Sequence, residues 1–101
     1  EFDTFSRHNI PVIAIIGNDG GWTQIARDQV EIFNDPVATE LGHTNYHEVI
    51  DKLGGIGYEI SENDSVNDVI LEAKEKAKSG NSVLINVKIG KTDFRKGSIS
   101  V

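Results

Sequence analysis

The sequence predicts an α/β fold with a mostly parallel sheet flanked by helices. Three observations support this: short apolar runs rich in β-branched residues, helix-spaced apolar patterns between them, and a glycine-rich loop directly after the first run. Strand-like and helical segments alternate along the 101 residues, and such alternation is typical of parallel sheets with right-handed crossovers. We expect a single domain over residues 1–101.

A short helix and a strand are expected first. Phe2 and Phe5 share one helical face, and Pro11 ends that helix, because the residue before a proline is pushed out of the helical region. Residues 12–16 form a continuous apolar run. Apolar residues on both faces predict a strand that is buried on both faces.

The middle of the chain contains two predicted helices separated by a loop. The first begins at Thr23 and is ended by residues 34–36, Asn-Asp-Pro. Residues 36–44 are weakly patterned, and we expect them to form the loop. Asn45, with Glu48 three residues later, resembles a capping box and predicts the start of the second helix.

The last third is expected to add strand, helix and strand. Residues 57–60 are a short strand candidate. Ser65 with Asp68 predicts the start of a helix, and Gly80 suits its end. Residues 83–89 form the second strong strand.

Composition limits the classes of function. The net charge of −6 argues against a nucleic-acid surface, which needs basic residues to neutralise phosphates. The absence of cysteine excludes disulfides and thiolate metal sites. No apolar run approaches the roughly 20 residues of a membrane span. The chain does not begin with methionine, and residues 1–5 read like the interior of a helix, so we expect part of a longer protein. The lack of cysteine is compatible with a reducing compartment, and we expect the protein to be intracellular.

The loop after the first strand is the main candidate site. Residues 17–21 read Gly-Asn-Asp-Gly-Gly, and ligands bind at the carboxyl ends of strands in open α/β sheets. Glycines allow close backbone approach to a phosphate, the Asn18 oxygen suits Mg²⁺, and N–H groups of the helix at Thr23 can face an anion. The same residues are also common in turns, so spacing alone leaves a turn without a ligand open.

Two segments resemble one branch of the thiamine-diphosphate-dependent enzymes. Residues 15–20 are similar to the end of the family's cofactor motif, which opens with Gly-Asp-Gly and closes with an Asn pair after an apolar strand. Residues 17–30 and 89–99 are similar to the acetolactate synthase-like branch of animals, also described as 2-hydroxyacyl-CoA lyases. The resemblance implies the C-terminal part of a thiamine-diphosphate-binding domain, with thiamine diphosphate and Mg²⁺ as cofactors.

The resemblance also implies roles for individual residues. Asn18 matches the motif asparagine whose side-chain oxygen binds Mg²⁺, and Gly20 matches the position whose carbonyl binds the same ion. Gln24 falls where related enzymes place a side chain facing the substrate, and it is the implied catalytic residue. The implied cofactor-binding residues are Gly17, Asn18, Gly20, Gly21, Trp22 and Thr23.

Part of the family's site is missing from this stretch. Gly17 replaces the first asparagine of the pair, and the opening Gly-Asp-Gly would lie just upstream of Glu1. The activating glutamate belongs to a partner subunit in this family. The resemblance therefore implies that the parent protein is a homo-oligomer. The rest of the parent chain and a partner subunit would complete the site, and we expect this stretch alone to be inactive. It also implies attachment to the endoplasmic reticulum membrane through upstream residues.

Several alternatives stay open. The implied reaction is cleavage of a 2-hydroxyacyl-CoA to an aldehyde and formyl-CoA, and the alternative is acetolactate formation from pyruvate. A non-catalytic α/β module for nucleotide binding or subunit contact is the alternative of another class. Trp22 is interpreted as a packing residue in preference to a ligand-stacking one. We interpret His43 and His47 as solvated side chains in preference to a metal pair.

Overall fold

A computed structural model describes residues 1–91 of the chain; residues 92–99 of the second similar segment lie outside this range. The described residues divide into two compact units. The sheet unit comprises residues 1–18 and 45–89, and the loop unit comprises residues 19–44 with Gly90 and Lys91. No helix within residues 1–91 combines the length and apolarity needed to cross a membrane.

The order of elements follows the prediction. The helices of the described range are α1 (Phe2–Arg7), α2 (Thr23–Phe33), α3 (Tyr46–Lys52) and α4 (Val66–Lys78), and the strands are β1 (Ile13–Asn18), β2 (Ile56–Ile60) and β3 (Val83–Lys88). Of these, α2 belongs to the loop unit and the others belong to the sheet unit.

The sheet unit contains a three-stranded sheet with β3 at its centre. Its strand order is β1-β3-β2, and both pairings are parallel. Ile16 of β1 and Glu59 of β2 lie opposite Asn86 of β3, on its two sides. The predicted parallel α/β architecture is confirmed. Because parallel strands share one direction, the carboxyl ends of all three meet at the same edge, where ligands bind in such sheets.

Central strand β3 is buried on both faces. Val83 and Ile85 join Ile60 and Ala73 in the apolar core cluster, against α4. Successive side chains of a strand point to opposite faces, so Asn86 points to the face that carries α3. The core therefore lies between the sheet and α4, and the polar Asn86 lies on the other side of the sheet.

Strand β1 differs from its prediction in two respects. It extends to Asn18, so Gly17 and Asn18 belong to the strand and not to the following loop. Burial on both faces was wrong for the described residues, because Ile13 is exposed and Ile15 is 61% exposed. β1 pairs with β3 alone and lies at an edge of this sheet, and the contacts that α4 makes with β1 leave Ile13 and Ile15 exposed.

Helix starts were predicted correctly, but one cap was not. Ahead of α4, the hydroxyl of Ser65 accepts the N–H of Asp68 at 3.4 Å, as predicted. Asn45 occupies the cap position of α3 without a side-chain cap bond. Its Nδ2 instead donates to Oε1 of Glu48 at 3.0 Å. The predicted capping box at Asn45 was wrong, because the two side chains bond each other and not the backbone.

Close packing of β2 on α3 generates a first prediction. A Cβ atom on Gly57 would overlap with the backbone carbonyl of His47, which cannot rotate away. We expect Gly57→Ala to destabilise this packing by about 2 kcal/mol, a typical cost of overpacking. In the full-length protein, amide exchange of β2 and α3 should then become roughly 30-fold faster.

The matched control for that prediction is Gly90→Ala, because a Cβ at Gly90 meets nothing within 4 Å. Its exchange should stay close to that of the unchanged protein. Unchanged exchange in Gly57→Ala would contradict the packing described for β2 and α3.

Candidate functional site

The loop that follows β1 is closed by a backbone bridge within the loop unit. An isolated antiparallel bridge joins Gly21 to Glu40. Beside it, the N–H of Trp22 donates to the Thr39 carbonyl at 2.8 Å. The loop is thus tied to the segment that begins at Thr39, and its backbone has a defined course.

Glycine is required at two positions of this loop. Gly20 has φ +75°, and a Cβ there would lie 3.2 Å from ring atoms of His43. A Cβ on Gly21 would lie 2.9 Å from the Thr39 carbonyl oxygen. At Gly20 the left-handed φ strains any side chain, and the His43 ring would have to give way. At Gly21 the obstacle is backbone, which must shift. The fold of the loop itself therefore requires both glycines.

The carbonyl of Gly20, an expected metal ligand, is engaged in this conformation. It accepts the N–H groups of Leu41 and Gly42, both at 2.9 Å. Since a carbonyl oxygen has two lone pairs, binding Mg²⁺ through it requires one of these hydrogen bonds to be given up. The ligand role of Gly20 stays a prediction.

Asp19 is an oxygen donor to which sequence analysis gave no role. Its pKa lies below the usual range, chiefly through the Thr23 hydroxyl, with further contributions from the Gly21 N–H and the Lys91 charge that outweigh the effect of burial. The Gly21 N–H donates to Oδ1 at 3.1 Å. Asp19 is therefore ionised at neutral pH, and an ionised carboxylate suits Mg²⁺.

Thr23 carries a buried hydroxyl that needs a partner. Among the described residues, its Oγ1 makes no hydrogen bond. The hydroxyl nevertheless lies near enough to the Asp19 carboxylate to lower its pKa. Because buried polar groups are normally satisfied, this hydroxyl marks a place where a polar ligand atom would fit.

Helix α2 begins at this loop with an open N-terminus. Trp22 occupies the cap position without a side-chain cap bond, and the first turn contains no acidic residue. Its backbone N–H groups are thus able to face an anion. Trp22 is 56% exposed, so its interpretation as a packing residue finds no support in the described residues. Gln24, in the first turn, is also exposed.

Asn18 lies in the sheet unit, at the end of β1. It is 6% exposed, and its Nδ2 donates to Oδ1 of Asn86 at 3.2 Å. Its backbone carbonyl accepts the N–H of Ile89 at 3.0 Å. Both side chain and backbone are therefore held at the carboxyl end of the sheet. Gly17 lies beside it in the strand, where a Cβ would be 3.3 Å from Cδ1 of Ile89.

The polar groups described above are of the chemical types that bind a magnesium–diphosphate group. Hard cations prefer oxygen ligands, and the chain offers the Asn18 amide, the Asp19 carboxylate and backbone carbonyls. The buried Thr23 hydroxyl and the open start of α2 suit an anionic oxygen. Asn18 belongs to the sheet unit and the other groups to the loop unit, so the geometry is established within each unit.

The amino-acid sequence matches one known protein family over most of its length. Residues 1–87 match the family described as thiamine pyrophosphate enzyme, C-terminal TPP binding domain. The chain belongs to this thiamine pyrophosphate enzyme family. Thiamine pyrophosphate is the same cofactor as thiamine diphosphate, so the expected family is confirmed, and the parallel α/β sheet agrees with it.

The lyase relatives match this family member along its whole length, and an acetolactate synthase matches part of it. It is 52% identical to 2-hydroxyacyl-CoA lyase 2 of Danio rerio over 103 residues, covering 100% of the chain and 17% of that protein. It is 50% identical to 2-hydroxyacyl-CoA lyase 2 of Homo sapiens, covering 100% and 16%. A probable acetolactate synthase of Mycobacterium bovis is 39% identical over 62 residues, 60% of the chain and 11% of that protein.

These figures also fix the share of the relatives that the chain represents. It spans about one sixth of the length of the lyase relatives. The branch expected from the sequence, with lyase relatives nearer than acetolactate synthases, is confirmed.

Sequence analysis missed two residues that contact one another in the sheet unit. Asn86 is 0% exposed, and its Nδ2 lies 3.4 Å from Nδ1 of His47. The interpretation of His47 as a solvated side chain was wrong, because its side chain is only 17% exposed. The available signal was a lone amide within the otherwise apolar first five residues of β3, because a buried polar side chain is costly unless it is hydrogen-bonded.

The crowding at Gly21 generates a second prediction. In Gly21→Ala, the new Cβ is forced against the Thr39 carbonyl oxygen, so the bridge beside it must shift. We expect a cost of about 1–3 kcal/mol and, in the full-length protein, roughly tenfold faster exchange of the Trp22 amide.

Gly42→Ala is the control, because Gly42 has φ +74° but open space around it. It carries only the conformational cost of about 1 kcal/mol and should leave the Trp22 amide nearly unchanged. Equal exchange of that amide in both variants would contradict the crowding described at Gly21.

Proposed function

We propose that this chain supplies the magnesium- and diphosphate-binding part of a thiamine-diphosphate-dependent carbon–carbon lyase that acts on 2-hydroxyacyl-CoA. The observation that carries the proposal is identity of 52% and 50%, over the whole chain, to two proteins named 2-hydroxyacyl-CoA lyase 2. The oxygen donors and open helix start after β1 support it independently.

The residues of the loop unit have distinct proposed tasks. The ionised carboxylate of Asp19 and a backbone carbonyl offer oxygen ligands to Mg²⁺. N–H groups at the start of α2 and the Thr23 hydroxyl face the diphosphate. Gly20 and Gly21 keep the backbone uncovered, so that these groups can approach the anion closely.

In the sheet unit, the side-chain oxygen of Asn18 is the expected magnesium ligand. Bound thiamine diphosphate supplies the nucleophilic carbon and the electron sink for carbon–carbon cleavage. The chain's own contribution is to anchor that cofactor by its diphosphate, which fixes the position of the reactive ring.

The proposed reaction breaks the bond between C1 and C2 of the acyl chain. The C2 hydroxyl loses its proton, so that C2 leaves as an aldehyde. C1 keeps its thioester, takes up a proton in place of the broken bond and leaves as formyl-CoA. Gln24, exposed at the start of α2, is the proposed substrate-facing side chain. The upstream Gly-Asp-Gly, the activating glutamate, the homo-oligomer and the endoplasmic reticulum attachment of the parent protein stay predictions.

Acetolactate formation is the second candidate reaction. It is supported by the 39% identity to a probable acetolactate synthase over 60% of the chain. The products separate the two: formyl-CoA and an aldehyde from a 2-hydroxyacyl-CoA, or acetolactate from pyruvate.

Calorimetric titration of thiamine diphosphate into the full-length protein tests the cofactor proposal. We expect binding that depends on Mg²⁺ and that weakens by more than roughly tenfold when a metal-binding side chain is removed. Asn18→Ala tests the amide, and Asp19→Ala tests the carboxylate. Asn63→Ala and Asp28→Ala, which remove exposed side chains of the same types, are the matched controls and should bind normally.

The variants also separate the possible ligands. If cofactor binding weakens only in Asp19→Ala, the carboxylate and not the Asn18 amide holds the metal, and the proposed function stands. Binding indifferent to Mg²⁺, or no binding by the unchanged protein, would refute the cofactor proposal and favour the non-catalytic module.

The role of Gln24 is tested by kinetics with a 2-hydroxyacyl-CoA. We expect Gln24→Ala to lower kcat/KM by roughly 100-fold, the order of loss when a substrate is held out of position, while cofactor binding is retained. Glu31→Gln, on the same helix and exposed, should keep full activity. Unchanged kcat/KM in Gln24→Ala would remove Gln24 from the site.

A further inference from the structure

A series of polar side chains runs through the sheet unit behind Asn18. Nδ2 of Asn18 donates to Oδ1 of the fully buried Asn86 at 3.2 Å. Nδ2 of Asn86 in turn lies 3.4 Å from Nδ1 of His47, on α3. The series therefore runs along the face of the sheet that carries α3, from the end of β1 across β3 to that helix.

An ion pair lies beside the far end of this series. Nδ1 of His47 lies 3.6 Å from Oε2 of Glu59, and the same oxygen accepts Nζ of Lys88 at 2.9 Å. The His47 side chain is 17% exposed, so the connection is largely shielded from water. Glu59 and Lys88 come from β2 and β3, so this ion pair joins the two strands beside the ring.

Hydrogen-bond polarity passes along this series in one direction. An amide side chain donates from Nδ2 and accepts at Oδ1. With its proton on Nε2, His47 accepts at Nδ1, so Asn86 turns Nδ2 to His47 and Oδ1 to Asn18. Asn18 must then present its own Nδ2 to Asn86. Because the two atoms diverge from one carbon, the Asn18 oxygen points away from Asn86.

The energetic cost of this arrangement calls for a reason. An apolar residue would suit this position of β3, because Leu84, on the same face, is also buried. Two amides at this depth contribute little net stability even when hydrogen-bonded, whereas breaking their network is costly. Partners that orient a metal ligand are a recognised use of such bonds.

We propose that Asn86 is a positioning residue for magnesium binding: its buried Oδ1 holds Nδ2 of Asn18 and thereby orients the Asn18 oxygen for the metal, with His47 fixing the direction of Asn86. This rests on the proposed function, in which Asn18 is a magnesium ligand. Asn86 itself touches neither metal nor substrate.

The test is a calorimetric titration of Mg²⁺ into the full-length protein at a fixed concentration of thiamine diphosphate. Asn86→Leu keeps the branched shape and the number of side-chain heavy atoms but has no acceptor, and we expect it to weaken Mg²⁺ binding by roughly tenfold or more. Asn86→Asp keeps an oxygen acceptor for Asn18 and should bind Mg²⁺ within about threefold of the unchanged protein, since the orienting bond is kept. Should the leucine variant not fold, Asn86→Ala replaces it, because it also lacks the acceptor.

Two controls separate positioning from simple damage and from failure of the proposed function. Ile85→Val alters the same buried strand without touching Asn18 and should bind Mg²⁺ normally. Equal weakening in the Leu and Asp variants, or in Ile85→Val, would overturn the positioning role.

Asn18→Ala distinguishes the remaining cases. Normal Mg²⁺ binding by Asn86→Leu, together with weak binding by Asn18→Ala, would overturn the inference and leave the proposed function intact. Normal binding by Asn18→Ala would remove Asn18 from the metal and the inference with it.

Discussion

Parallel pairing of β1 and β2 on the two sides of β3 is the constraint on which the sheet unit depends. It sets the register that places Ile16 beside Asn86 and Asn18 beside Lys88, and it brings the carboxyl ends of all three strands to one edge. The chain leaves β1 at that edge and enters the glycine loop. A shift of one residue in this register would turn Asn18 to the other face of the sheet and separate it from Asn86.

The two faces of this sheet serve different purposes. The face under α4 holds the apolar cluster with Val83 and Ile85 and accounts for stability through removal of apolar surface from water. The other face carries Asn86, His47 and Asn18, whose hydrogen bonds impose direction more than they add stability. A family member that binds a metal through an amide needs that direction, because only the oxygen of the amide is a ligand.

Sequence reasoning predicted what depends on local pattern. The element order, the Ser65 cap and the glycine loop all followed from residue type and spacing. It failed where a competing side chain or the position of a strand in the sheet determines the structure. Asn45 bonds the Glu48 side chain and not the backbone. Ile15 stays exposed on β1, which lies at an edge of the sheet. The hydrogen bonds from Leu41 and Gly42 to the Gly20 carbonyl could not be predicted, because a contact between distant loop residues leaves no periodic pattern in the sequence.

The central claim is that this stretch holds the magnesium of a thiamine-diphosphate enzyme. The most direct measurement is a crystal structure of the full-length protein grown with thiamine diphosphate and Mn²⁺ in place of Mg²⁺, in which anomalous scattering locates the ion. We expect the peak within bonding distance of at least one oxygen of residues 18–21, with the diphosphate at the start of α2. An ion coordinated wholly by residues outside this stretch, or a diphosphate bound elsewhere, would contradict it.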